Sequence, residues 1–139
     1  MGAGPSVIDT DVISELTKPS PDAAVLAWLA AQPRFLLSAV TVYELVRGIS
    51  LLRAGRKRQF LEEWLAELLN GPSEVLEFGQ DSALLAVQIE TAARRQGRCV
   101  DARDLFILAT ALAHGHSLAT RNVAHFRGLG VTIINPFGR

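Results

Sequence analysis

The chain has 139 residues, 49% hydrophobic and 20% charged, enough apolar material for a packed core and too much for a disordered chain. Fourteen basic side chains balance fourteen acidic ones, which excludes a global basic field for nucleic acid and leaves any such contact to a local patch. The single cysteine, Cys99, excludes an internal disulfide or a cysteine metal cluster, and no apolar run reaches the roughly 18 to 20 residues of a membrane span.

The length fits one domain over residues 1–139. With one cysteine and no charged region leading into an apolar stretch at the N-terminus, the chain reads as cytoplasmic. Met1-Gly2 with Ser6 matches the myristoylation pattern in form only, on two positions that run straight into a strand.

In chain order, Ser6-Val7-Ile8 predicts a short strand ending in Asp9, and Val12 to Leu16 a helical turn before the Lys18-Pro19-Ser20-Pro21 break. Asp22 to Ala31 carries Val25, Trp28 and Leu29 three and four apart, an amphipathic helix stopped by Gln32-Pro33. Phe35-Leu36-Leu37 predicts a strand, and Thr41 begins a helix with Leu45, Ile49 and Leu52 on one face. Arg58 to Leu69 follows as a helix, Asn70-Gly71-Pro72 as a turn and Val75 to Phe78 as a strand.

Asp81 to Gln96 is helical up to Gly97, and Asp104 to His114 predicts a helix hydrophobic nearly all round, hence buried against a sheet. Ser117-Leu118-Ala119 and Val131 to Ile134 predict the last strands, with a helical turn near Val123 to Phe126 between them. This alternation predicts an α/β fold with a mostly parallel sheet.

In such sheets ligands bind beyond the carboxyl ends of strands, which directs attention to acids that follow strands or open helices. Asp9, Glu44 and Asp104 occupy such places. Taken singly, each also reads as a helix cap. Asp9 or Asp11 suits the N-terminus of the short helix, Thr41-Val42-Tyr43-Glu44 fits a capping box, and Asp101 competes with Asp104 one turn earlier. Capping does not explain a carboxylate set against Leu105-Phe106-Ile107-Leu108, at the lip of the core. Clustered acids repel, and a divalent cation relieves that cost. Oxygen-only ligation suits Mg²⁺ or Mn²⁺, whereas His114, His116 and His125 lack zinc-like spacing.

Four segments in order resemble the PIN domains, and among them the VapC-like and FitB-like toxins of bacterial toxin-antitoxin pairs. They are Val7 to Leu16, Leu37 to Leu45, Asp104 to Ala111, and Leu118-Ala119-Thr120-Arg121-Asn122-Val123-Ala124-His125-Phe126. The resemblance implies a three-layer α/β/α fold around four to five short strands. It puts the family's first three acids on Asp9, Glu44 and Asp104, and its fourth, often aspartate, on Asn122, which brings no charge, so that one metal ion is supported and a second is left open. Thr120 matches too, its hydroxyl positioning a ligand or capping a turn. His125 stands where many relatives carry an aspartate.

The activity so implied is that of a metal-dependent endoribonuclease toxin. Asp9, Glu44 and Asp104 would hold Mg²⁺ or Mn²⁺, water would attack phosphorus, and Asn122 would orient that water. The same resemblance implies a cognate antitoxin, a homodimer and a hetero-oligomer with the antitoxin, RNA as substrate and no membrane. Among the basic residues, Arg103 and Arg121 flank site positions and are the candidates for phosphate contact. Two other readings compete. One is a PIN-like binding module weakened at Asn122. The other is a haloacid-dehalogenase-like phosphotransferase with Asp9 as nucleophile, which needs a placed lysine, and only Lys18 and Lys57 exist.

Overall fold

In the computed structural model, which describes residues 5–138, five segments pair into one sheet: β1 (Ser6–Ile8), β2 (Phe35–Ser38), β3 (Ser73–Leu76), β4 (Ser117–Ala119) and β5 (Ile133–Ile134). The Met1-Gly2 pattern lies outside the described residues. All four pairings are parallel and the spatial order is β3-β2-β1-β4-β5. The chain therefore winds outward from β1 to β3 and then returns to lay β4 on the other side of β1. That reversal creates a switch point between β1 and β4, where the crevice beyond the carboxyl ends is open.

Alternate residues along each strand feed opposite faces. Ile8 and Leu37 join one core with Val12, Ile13, Val25, Leu29, Leu45 and Leu65. Those side chains come from α1 (Thr10–Ile13), α2 (Ala23–Ala30), α3 (Ala39–Ser50) and α4 (Arg56–Asn70), with a 3₁₀ turn at Ser14–Thr17. Val7, Leu36 and Leu118 join the other core, with α5 (Gln80–Arg95) and α6 (Ala102–Ala113). The result is the three-layer α/β/α arrangement. As expected, α6 is buried nearly all round, since α5 packs along its outer side.

Several boundaries shift by one to three residues from expectation, among them the start of α6 at Ala102 rather than Asp104 and of β5 at Ile133 rather than Val131, and two of the shifts have clear local reasons. The third strand covers Ser73–Leu76, because Ser73 Oγ donates to the Leu68 carbonyl at 2.7 Å and fixes where α4 ends, while Phe78 leaves the sheet to pack its ring, tilted by 47°, against Phe106. The helix after β2 begins at Ala39, not Thr41. Ser38, the last strand residue, caps it by accepting from Val40 N at 3.0 Å, so strand passes into helix without a loop. A four-residue helix, α7 (Val123–Phe126), links β4 toward β5. No helix among the described residues is long and apolar enough to cross a membrane.

Candidate active site

Asp9 follows β1 directly and is 6% exposed. Its Oδ1 accepts from Thr10 N at 2.8 Å, so it does cap α1; its Oδ2 accepts from Thr120 Oγ1 at 2.8 Å. Thr120 is fully buried just past β4, so this second bond bridges the switch point. Thr120 Oγ1 in turn accepts from Asn122 N at 3.2 Å, so one hydroxyl both bonds Asp9 and closes the turn after β4. Burial pushes the Asp9 carboxyl up to about 7, Asp11 and then Asp104 add repulsion, and the bonds from Thr120 and Thr10 only partly oppose this.

Glu44 belongs to the second turn of α3, because the helix starts earlier than Thr41, and the capping box does not form. Instead Thr10 Oγ1 donates to Glu44 Oε1 at 2.5 Å and lies 3.2 Å from Oγ1 of the buried Thr41. Glu44 Oε2 lies 3.8 Å from Arg103 Nε. Asp101 caps α6 by accepting from Arg103 N at 3.0 Å, which frees Asp104 in the first turn. Asp104 Oδ2 lies 3.7 Å from His125 Nε2. Desolvation raises its pKa, against the pull of His125, and Asp101 and Glu44 add to the rise.

Asp11 belongs to the same neighbourhood, although the sequence offered it only a possible capping role and, in the rival phosphotransferase reading, that of the acid. The Asp-Thr-Asp spacing, which puts two carboxylates into one tight turn, was the available signal. Its Oδ2 accepts from Arg121 N at 3.2 Å, and its Oδ1 is buried with no hydrogen-bond partner. Burial raises its pKa, and Asp104 contributes to the rise. Asp9, Asp11, Glu44 and Asp104 thus share one field at the carboxyl end of the sheet.

As packed, no three of the Asp, Glu, His and Cys side chains among the described residues form a ready metal-ligand set. Glu44 is turned to Thr10 and Arg103, and Asp104 to His125. The chemistry still fits a hard cation: the donors are all oxygen, three of the acids are held above their ordinary pKa, and one buried oxygen is unpartnered.

Asn122 is exposed and its side chain does not cap α7. Arg103 lies beside Glu44, whereas the Arg121 guanidinium lies 4.0 Å above the Phe137 ring and its main chain holds Asp11. Arg98 was not singled out by the sequence: it donates to the carbonyls of His125 at 2.7 Å and Arg127 at 2.6 Å, fixing the end of α7 behind Asp104. Beside Glu44 a groove of about 200 Å³ is lined by Thr10, Ser14, Gly48, Ile49 and Trp64. A larger cavity of about 320 Å³, by Gly115, Ser117 and Thr132, lies at the opposite end of β4 and contains none of the four acids.

The PIN domain family pattern matches residues 6–129. The VapC ribonuclease Y4jK of Sinorhizobium fredii is 41% identical over 135 residues, which cover 94% of this chain and 96% of that protein. Toxin FitB of Neisseria gonorrhoeae is 36% identical over 135 residues, covering 94% and 97%. The crystal structure of FitAcB from Neisseria gonorrhoeae superposes with a TM-score of 0.88 at 35% identity, covering 97% of this chain and 100% of that one.

Proposed function

The chain belongs to the PIN-domain family, and on that premise we propose that it is the nuclease toxin of a toxin-antitoxin pair, cleaving RNA with Mg²⁺ or Mn²⁺ held by Asp9, Glu44 and Asp104. The observation that carries this reading is the carboxylate cluster at the β1/β4 switch point, where burial first and neighbouring acids second hold Asp9, Asp11 and Asp104 above their ordinary pKa. A ribonuclease and a toxin among the relatives support the substrate and the setting.

Each acid is aimed by a neighbour. Thr120 holds Oδ2 of Asp9, Thr10 holds Oε1 of Glu44, and His125, anchored through Arg98, holds Asp104 from the solvent side. A bound divalent cation supplies Lewis-acid activation of the phosphodiester and of water. The exposed Asn122 amide orients the attacking water, and Arg103 and Arg121 are the phosphate contacts; Arg103 then exchanges Glu44 for phosphate, whose paired oxygens can accept from two N–H groups of the planar guanidinium.

The partner is a cognate antitoxin protein, which joins a toxin homodimer to form the hetero-oligomer, and residues 1–139 act as one PIN-like unit in the cytoplasm, where RNA is found. A second reading, a binding module without catalysis, draws on the unassembled ligand set and on the neutral Asn122. The phosphotransferase reading loses its lysine: Lys18 pairs with Glu15, and Lys57 is exposed at the start of α4.

Partner-free protein incubated with RNA, with Mg²⁺ or Mn²⁺ and separately with chelator, tests the proposal. Cleavage confined to the metal-containing samples is expected. Equal cleavage in chelator would remove the metal, and no cleavage in any sample would favour the binding module.

A further inference from the structure

The Asp11 carboxylate has one oxygen employed and one idle, and the two call for different explanations. Oδ2 accepts from Arg121 N and so clasps the turn after β4 to α1. An asparagine would make the same bond without a charge. Oδ1 is shielded from water and completes no hydrogen bond, the neighbouring Val12 N–H being committed to the Asp9 carbonyl at 3.0 Å. The Arg121 guanidinium is drawn over the Phe137 ring at 4.0 Å and leaves Oδ1 unpartnered. An unpaired buried carboxylate oxygen is costly, and this one belongs to a carboxylate that shares the Thr120–Arg121 turn with Asp9, each acid accepting a bond from it. A divalent cation turns the idle oxygen and its repulsion into attraction.

We infer that Asp11 is a fourth cation-holding carboxylate of this site, its Oδ1 supplying the negative charge that Asn122 does not bring. The inference rests on the metal-dependent reading and adds a residue to it. The clasp and the charge are two functions of one side chain: the first positions the Thr120 turn, the second holds the ion together with Asp9.

Mn²⁺ titrated calorimetrically into metal-free, partner-free protein tests it, with melting temperatures recorded without metal. The wild type binds, and Asp11→Asn is expected to bind about 10- to 100-fold more weakly. Its metal-free melting temperature is expected to equal or exceed that of the wild type, since the amide oxygen still accepts from Arg121 N while the repulsion is gone. Asp11→Glu, which restores the charge, binds more tightly than Asp11→Asn. Should Asp11→Asn melt early, Asp11→Ser decides: weakened binding supports the inference, and wild-type affinity overturns it. Wild-type affinity in a folded Asp11→Asn protein overturns the inference and leaves the metal reading standing. Absence of Mn²⁺ binding by the wild type overturns both.

Discussion

Asp9 is an acid whose native pKa, about 7, lies above its ordinary 3.8, so between those values the native chain binds a proton that the unfolded chain has lost. Stability without metal therefore falls as pH rises through that window, by up to about 4 kcal/mol, and the loss is complete above the native pKa. Asp11 and Asp104 act in the same direction. Glu15 acts in the other: its bond from Lys18 lowers its pKa, so its contribution is lost as pH falls through the native value. Metal-free protein is expected to melt lower at about pH 8 than at about pH 5.5, with the gap narrowed in Asp9→Asn. An equal or higher melting point at the alkaline pH in the wild type would show that the carboxyl is not buried in solution. The position of Asp9 was legible because an acid closes a β-branched run. Its bond to Thr120 was not, since it joins residues 111 positions apart.

Two acids of α6, one turn apart, have separable roles. Asp101 caps the helix, and its replacement by alanine is expected to cost about 0.5 to 2 kcal/mol in urea unfolding. Asp104→Asn is expected to leave stability unchanged or raise it, because it removes a charge whose ionisation burial and the neighbouring acids already oppose. The reverse order of effects would exchange the two assignments. The sequence left this competition open because either aspartate suits a helix N-terminus; the helix start at Ala102 settles it. Thr41-Val42-Tyr43-Glu44 shows how local pattern misleads: it fits a capping box, yet Ser38 caps and the motif lies inside the helix. No local pattern announced that β2 runs into α3 without a loop. Nor did any pattern announce Arg98, which reaches carbonyls 27 and 29 residues away.

At the scale of the whole molecule, the periodicities of 2 and 3.6 made the layered fold readable, because each element buries a face that its own sequence marks. Strand order was not readable from those periods. It follows from which crossover packs on which side, and it is the reversal at β1 that brings Asp9 to Thr120. The site's placement thus depends on topology, while its residue types were visible beforehand. The side chains within it are poised rather than assembled, with Glu44 and Asp104 each held by a polar neighbour. The most direct measurement is single-turnover RNA cleavage with Mg²⁺ or Mn²⁺ by the wild type and by folded Asp9→Asn, Glu44→Gln and Asp104→Asn. Losses of about 100-fold or more are expected in all three, at or beyond the 10- to 100-fold typical of outer partners of a metal site. Rates within a few-fold of the wild type in any of them would contradict a cation held by these three carboxylates.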